Sequence, residues 1–233
     1  MTFIREKAYL AKEKAYSLGL GYLLVSYAIK RYEKLDLSDK SIEELFDIAS
    51  SFSVLAIDFK PIQIKQEFLD FANLLKKEKP SSIIEIGIAH GGTLFMACKV
   101  AEKNAKIVSL DLPDGAWRDG LLKRFATNDQ SIEIVRGDSH SQEVYERTKN
   151  LISGADMLFI DGDHSYNGVK KDFQLYSPLV RKGGMIVLHD INIQTAECET
   201  KRFWNEIKEG HKYVEFIEGD NGYGIGVLYK KTV

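Results

Sequence analysis

The spacing of apolar positions changes character near residue 80. Upstream, apolar side chains recur at three- and four-residue steps, the period of a helix face. Residues 3–35 follow this pattern, and Gly19 and Gly21 predict a break between two helices. Residues 41–52 open on Ser-Ile-Glu-Glu, so Ser41 is expected to cap a helix while Glu44 reaches back to it. Pro61 is expected to begin a third helix over 62–79, because its fixed φ suits a first turn. Phe68, Phe71, Leu74 and Leu75 share one face of it. Lys76, Lys77 and Lys79 suit the negative end of the helix dipole, and Pro80 stops the helix.

Downstream the chain alternates. Short β-rich runs at 82–86, 106–110, 132–135, 157–160 and 185–188 predict five strands. The first four are followed by helix-length segments at 93–102, 120–128, 142–152 and 169–180. Continuous apolar strands such as Met157-Leu-Phe-Ile160 belong in a sheet covered on both faces. Strand–helix–strand repetition implies right-handed crossovers and a parallel sheet. A helix at 201–208 and two strands at 213–217 and 224–229 follow. The turn-rich Glu218-Gly-Asp-Asn-Gly222 joins those strands as a hairpin, so the sheet should end with an antiparallel member.

Composition narrows the class. The chain has 233 residues, 44% hydrophobic and 28% charged, enough apolar material for a packed core. We expect an N-terminal helical segment, 1–60, that covers a crevice or pairs subunits in a homo-oligomer, followed by one α/β domain, 61–233. Lysine and arginine number 32 against 34 acidic residues, so no basic excess exists to neutralise phosphates, and a nucleic-acid partner is not expected. The most apolar stretch, 18–29, is a dozen residues, short of the roughly 20 that span a bilayer. No export signal is expected at the N-terminus. The two cysteines, Cys98 and Cys198, make neither a disulfide framework nor a zinc spacing, and a reducing, cytoplasmic setting is the plain expectation.

Candidate chemistry collects at the strand ends. Ile83 to Thr93 reads as a strand running into a glycine-rich turn and a helix. Gly87 there can take a backbone conformation closed to other residues, while Gly91 and Gly92 let a ligand approach the free N–H groups of the helix start. As a dinucleotide fingerprint, Gly87-x-Ala89-x-x-Gly92 departs from G-x-G-x-x-G at one position. Asp111 ends the second strand, 24 residues beyond Gly87, close to the spacing of acids that accept both ribose hydroxyls. Asp138, in Arg-Gly-Asp-Ser139, ends the third strand, beside which a nucleoside base would lie. Asp161, Asp163 and His164 gather at the end of the fourth strand; His189, Asp190 and Asn192 gather at the end of the fifth. Adjacent strands lie about 4.8 Å apart, so Asp161 and Asp190 are near enough to share an ion. With Asn192 they form a hard-oxygen set suited to magnesium, manganese or calcium; with His164 and His189 they suit zinc or iron instead.

Together these residues resemble the class I S-adenosylmethionine-dependent methyltransferases, from about residue 61 to residue 230. The nearest likeness is to methyltransferase family 24, which includes cephalosporin-hydroxylase-like and sugar O-methyltransferases. The resemblance rests on Glu-Ile-Gly-Ile-Ala-His-Gly-Gly-Thr93, Ser-Leu-Asp-Leu112, the Ile160–Asp172 run I-D-G-D-H-S-Y-x-G-V-x-x-D, Lys182–Ile191 and Gly222–Tyr229. It implies a Rossmann-like three-layer α/β sandwich with a seven-stranded sheet of order 3-2-1-4-5-7-6, strand 7 antiparallel, preceded by the N-terminal helices. It implies that Glu85, Gly87, Ala89, His90, Gly91 and Thr93 face the methionine part of S-adenosylmethionine. Asp111 and Leu112 would hold the ribose, Asp138 and Ser139 the adenine, and Asp161 would close the pocket.

Related catechol-type enzymes hold magnesium through an aspartate after strand 4 and an Asp-Asn pair after strand 5. Asp161 and Asp190 match the aspartates; Ile191 stands at the third position, with Asn192 one step later. The catalytic lysine of those enzymes is replaced by His164, whose ordinary pKa near 6.5 suits removal of a hydroxyl proton. The expected activity is O-methylation of a small hydroxylated acceptor, a sugar or glycosylated metabolite, with Asp161 and His164 catalytic and Mg2+, Mn2+ or Ca2+ on Asp161, Asp190 and Asn192. A nicotinamide oxidoreductase, a hydroxylase and a non-catalytic cofactor-binding module are the rivals. The closing antiparallel hairpin and Ala89 argue against the first. The lack of a two-histidine facial triad argues against the second.

Overall fold

A computed structural model describes residues 21–55, 57–127, 129–220 and 222–231. The expected helix before Gly19, with Tyr9 and Tyr16, lies outside the described residues, as does Asn221 of the closing turn. Helix α1 spans Gly21–Tyr32 and α2 spans Ile42–Ser51. Ser41 Oγ accepts from Glu44 N (3.1 Å) and Glu44 Oε2 accepts from Ser41 N (2.8 Å), the reciprocal cap expected from the sequence. A two-residue hairpin follows, β1 Ser53–Val54 and β2 Ile57–Asp58, too short to leave a periodicity in the sequence.

The third helix corrects an expectation. It is α3, Lys65–Glu78, starting four residues after Pro61, because Ile64 is still extended (ψ 132°). Residues 59–64 instead form a strap that runs over the glycine-rich turn. Phe59 is its anchor, fully buried, with ring centroids 4.6 Å from Phe52, 4.9 Å from Phe95 and 4.9 Å from Phe125. A Cβ on Gly92 would overlap the Pro61 backbone, so the strap crosses at a point where only glycine fits.

The remaining elements are β3 Ser82–Ile86, α4 Gly92–Val100, β4 Lys106–Asp111, α5 Asp119–Leu122, β5 Ser131–Arg136, α6 Gln142–Leu151, β6 Ala155–Ile160, α7 Tyr166–Tyr176, β7 Val180–His189, α8 Thr200–Ile207, β8 Lys212–Phe216 and β9 Ile225–Tyr229. The expected helix at 120–128 is only α5, with 3-10 turns at Pro113–Arg118 and Lys123–Phe125 on either side. The sheet order is β5-β4-β3-β6-β7-β9-β8. Numbering its strands from β3 gives 3-2-1-4-5-7-6, and the seventh, β9, runs antiparallel to both β7 and β8. The fold is the expected Rossmann-like sandwich.

Alternation along the strands builds two cores. Ile83, Ile107, Met157, Phe159 and Val187 face the layer of α1 to α4. Ile84, Val108, Leu158, Ile160 and Leu188 face α6, α7 and α8, where Tyr176, Phe203 and Trp204 are buried. Val25, Ala28 and Phe46 of the N-terminal segment share the first core with the sheet. Tyr32 packs there, whereas Tyr22 and Tyr27 are exposed. Among the described residues no helix is long and apolar enough to cross a membrane, and both cysteines are buried and free.

Candidate active site

Parallel strands all deliver their carboxyl ends to one edge, and the β3–β4 and β3–β6 divide is where crossovers change side, the usual crevice of such sheets. The turn after β3 begins at Gly87, with φ +92°, where a Cβ would overlap the Asp161 carbonyl oxygen. The absence of a side chain therefore lets the turn lie directly on the end of β6. Ala89 takes the left-handed conformation at φ 47°, and Gly91 does so at φ 93°. Such strain in a non-glycine residue persists only where surrounding contacts enforce it.

Beside this turn is a cavity of about 310 Å³, inside the range of roughly 300–1,000 Å³ typical of small-molecule sites. Gly87, Asp111, Leu112, Asp138 and Ser139 line it, together with His140, Gly162 and Asp163, which the sequence reading had not assigned to a ligand. Asp111 Oδ1 accepts from Leu112 N (2.8 Å), and its Oδ2 lies 3.3 Å from Arg136 Nη1. Arg136 also donates to the Leu112 carbonyl (2.9 Å) and pairs with Asp119, so the Asp111 carboxylate is held from behind. His140 N donates to Asp138 Oδ1 (2.8 Å), Tyr176 Oη donates to the Ser139 carbonyl (2.8 Å), and Ser139 Oγ donates to Asp172 Oδ1 (2.7 Å). Burial raises the carboxyl of Asp172, with Ser139 and His140 pulling the other way.

Glu85 stands under this floor rather than in it. Its side chain is 2% exposed and lines neither this cavity nor the smaller one described next. Ser109 Oγ donates to Glu85 Oε2 (2.6 Å), Oε1 has no partner, and burial pushes the carboxyl up to about 8. Its side chain, which the resemblance set toward the methionine part of the cofactor, thus reaches the surface of neither cavity.

The smaller cavity adjoins the turn and is lined by Ala89, His90, Thr93 and Asp161, with Lys60, Ile62 and Gln63 from the strap. His90 Nδ1 lies 2.6 Å from Asp58 Oδ1 on β2. Burial works against ionisation of Asp58, but His90 overrides it and the carboxyl is held low. Gln63 Nε2 donates to Asp161 Oδ2 (3.2 Å), while Gln63 Oε1 is buried and unpartnered. No local pattern announced Gln63 or Asp58; only the path of the strap brings them here.

The ends of β6 and β7 meet in one cluster. His164 Nε2 is 3.2 Å from Asp161 Oδ1 and 3.2 Å from Asp190 Oδ2. His189 Nδ1 is likewise 3.2 Å from Asp161 Oδ1 and 3.2 Å from Asp190 Oδ1. Two carboxylates thus alternate with two imidazoles, and Asp190 adopts a left-handed φ of 60° to complete the arrangement. For His189 burial alone would lower the pKa, but the Asp161 carboxylate and its hydrogen bond, then Asp190 and Glu67, raise it to about 9. His164 is also raised, first by its hydrogen bond to Asp161. Asp161 is lowered because the histidines outweigh its burial, whereas burial dominates at Asp190 and raises it. The two histidines differ in access: His189 is buried, but the His164 side chain is 40% exposed.

Asp161, His164 and Asp190 offer donor atoms all within 4.8 Å of one another, a spacing one ion would bridge. Asn192 is engaged elsewhere. Its Nδ2 donates to the Gly222 carbonyl (3.0 Å), and its Oδ1 accepts from Lys201 Nζ (3.2 Å). An ammonium on that oxygen disfavours a second cation there, and the donor atoms that do come together are those of Asp161, His164 and Asp190. The set becomes mixed oxygen and nitrogen rather than all oxygen.

The chain matches the family model described as a methyltransferase domain over residues 84–191. It is 31% identical over 125 residues to an uncharacterized protein of Acanthamoeba polyphaga mimivirus, covering 52% of this chain and 56% of that one. It is 26% identical over 127 residues to the rhamnosyl O-methyltransferase of Mycobacterium tuberculosis, covering 53% of this chain and 51% of that one. The chain thus spans about half the length of these curated relatives. Among solved structures, the O-methyltransferase from Bacillus cereus in complex with SAH aligns over 88% of this chain and 97% of its own, with a TM-score of 0.58 at 20% identity. The O-methyltransferase TomG from Streptomyces achromogenes, in complex with SAM, aligns over 88% and 96%, with a TM-score of 0.56 at 13% identity. At these identities the structural likeness speaks for the fold.

Proposed function

We propose, from the premise that residues 84–191 belong to the methyltransferase-domain family and the sheet is that of the class I S-adenosylmethionine-dependent methyltransferases, that this chain is an O-methyltransferase for a small hydroxylated acceptor. One observation carries the reading: an open cavity edged by Gly87, Asp111, Asp138, Gly162 and Asp163 lies next in the chain to a partly exposed carboxylate–imidazole cluster of Asp161, His164 and Asp190. In this reading Asp111 accepts the ribose hydroxyls, and the 138–140 turn lies along the adenine. Ala89, His90, Gly91 and Thr93 surround the methionine end.

The sulfonium supplies a methyl group that is already electrophilic, so the chain must align the acceptor and take its proton. In-line positioning of reacting atoms is worth up to about 7–11 kcal/mol. As the oxygen–carbon bond forms and the carbon–sulfur bond breaks, His164 receives the acceptor hydroxyl proton at Nδ1 while its Nε2–H stays donated to Asp161, leaving S-adenosylhomocysteine and a methyl ether. His189 cannot serve, since a group raised to about 9 is already protonated at neutral pH and is closed to solvent. Its role is to hold Asp161 and Asp190 in place as a fixed positive charge. Asp161 in turn orients His164 toward the acceptor. A sugar acceptor is favoured by the rhamnosyl O-methyltransferase relative.

A metal-assisted reading is favoured by the spacing of Asp161, His164 and Asp190. These three residues would hold a divalent ion, which when bound lowers the pKa of an acceptor hydroxyl. Holding an ion through Nε2 would cost His164 the hydrogen bond to Asp161 that orients it as a base. We favour proton removal, because the protonated His189 already sets a positive charge against Asp161 and Asp190. The test begins with calorimetry of S-adenosylhomocysteine and continues with methyl transfer from labelled S-adenosylmethionine to rhamnosides and other hydroxylated acceptors. Absence of saturable binding would sink the reading at its first step.

A further inference from the structure

The segment after the closing turn is fastened from two sides. Glu67, on α3, is 1% exposed, and its carboxylate accepts from Glu218 N (2.8 Å) and Gly224 N (2.9 Å). A Cβ on Gly222 would overlap Glu67 Oε1, so the backbone lies directly against that carboxylate. On the β7 side, Asn192 N donates to the Tyr223 carbonyl (2.8 Å), Asn192 Nδ2 to the Gly222 carbonyl (3.0 Å) and Ile191 N to the Gly224 carbonyl (3.3 Å). A carboxylate removed from water is costly unless its oxygens are hydrogen-bonded, and both oxygens of Glu67 bond this one surface segment.

Between these anchors the Tyr223 side chain stays 37% exposed. Its ring meets that of His189 edge to face, with centroids 6.1 Å apart and planes at 82°. His189 Nδ1 and His164 Nε2 each lie 3.2 Å from Asp161 Oδ1, so a single imidazole separates the tyrosine from the carboxylate that orients the base. Lone exposed aromatics are ordinary on a protein surface. This one differs in two respects: its backbone is pinned, and its ring adjoins the reacting groups. An aromatic held rigidly on a loop is a recognition surface already ordered before its ligand arrives.

We propose that Tyr223 is the acceptor platform and sets the class of acceptor: its exposed ring takes the C–H face of a pyranose, whose hydroxyl is thereby delivered to His164. The inference rests on the O-methyltransferase reading above and deepens it, by naming what the acceptor needs besides a hydroxyl. The face of an aromatic ring is electron-rich and apolar, which suits the C–H bonds along one side of a sugar ring. The hydroxyls of the same sugar project from its rim, where Asp161, His164 and Asp190 offer polar partners. An open-chain polyol has the hydroxyls and lacks the face.

The test is calorimetry on the chain saturated with S-adenosylhomocysteine, titrated with the methyl glycosides of rhamnose and glucose and with the matching open-chain alditols. Wild type should bind at least one glycoside more tightly than its alditol. Tyr223→Ala should weaken that glycoside roughly tenfold, the scale of one aromatic contact, and leave the alditol and S-adenosylhomocysteine affinities unchanged. Tyr223→Phe should retain the preference, and in methyl transfer the loss in Tyr223→Ala should fall on the acceptor KM rather than on kcat. An unchanged glycoside affinity in Tyr223→Ala overturns the inference, as does an equal loss for glycoside, alditol and S-adenosylhomocysteine, which would mark a structural role. Wild type that binds S-adenosylhomocysteine but shows no preference for a glycoside overturns it too, and so does Tyr223-dependent binding of catechol in place of the glycosides. If wild type does not bind S-adenosylhomocysteine, the methyltransferase reading itself has failed, a result distinct from these.

Discussion

The two sides of the crevice are built on opposite principles. The side over β4 and β5 is an open cavity whose polar groups, Asp111 and Asp138, are tethered to neighbouring backbone N–H groups and remain partly exposed. The side over β6 and β7 is a compact cluster with only His164 well exposed, and its four ionisable groups contact one another at 3.2 Å, with His189 raised to about 9 and Asp161 lowered. The first side has room to receive a ligand and little internal tension. The second has charge poised for a reaction and little room. Loss of a group on the open side should therefore weaken binding, whereas loss on the closed side should weaken turnover.

Several substitutions sharpen that contrast. The largest effect is expected from His164→Gln, which should lower turnover roughly 10²- to 10⁴-fold while leaving S-adenosylhomocysteine affinity nearly unchanged. Because the neutral imidazole is the active form and His164 is raised above 6.5, wild-type kcat/KM should climb with pH to a midpoint above that value. The variant should lose the climb. Next, Asp111→Ala should weaken S-adenosylhomocysteine binding roughly 10- to 100-fold by calorimetry, the loss of hydrogen bonds to a charged group, with little change in thermal midpoint. Equal damage to turnover at saturating cofactor would break the division between the two sides.

Smaller effects concern charge rather than contact. Excess chelator should change turnover by less than about threefold, and added zinc should inhibit by capturing His164, since imidazole favours that ion. A steep loss in chelator, restored by magnesium, would instead support the metal-assisted reading. The mildest effect belongs to Glu85. Its folded pKa, raised by burial from 4.5 to about 8, contributes stability that is fully present below 4.5 and is lost as pH rises through 8. The thermal midpoint of the unliganded chain should fall as pH rises from about 5 to about 8 and level off above that, and Glu85→Gln should flatten the fall.

The sheet was legible because each of its central strands is a short apolar run and each end is marked by a glycine, an aspartate or a histidine. Even the antiparallel close showed, through the turn-rich 218–222 segment. What escaped lies where local signals conflict with tertiary demands. Pro61 carries the mark of a helix start, yet the backbone there must stay extended to pass Gly92. Residues 120–128 have helix-like composition, yet only Asp119–Leu122 forms an α-helix. Asp111, Asp138, Asp161 and Asp190 announced themselves by ending strands. Gln63, Asp58 and Arg136 did not, because their places depend on a strap and on side chains reaching between loops. Asn192 read as a ligand from its nearness to Asp190 in the sequence, but Lys201, nine residues on, had already claimed its oxygen.

The crossing of the strap over Gly92 has a use beyond this molecule. No side chain larger than hydrogen fits at that position while Pro61 runs past it. Any homologous chain bearing a bulkier amino acid there must bring its entry segment in by another route, and so must line the small cavity beside the turn with different residues. A single letter thus reports the itinerary of backbone some thirty positions earlier, which makes it a marker for sorting homologues by how they enclose what they modify.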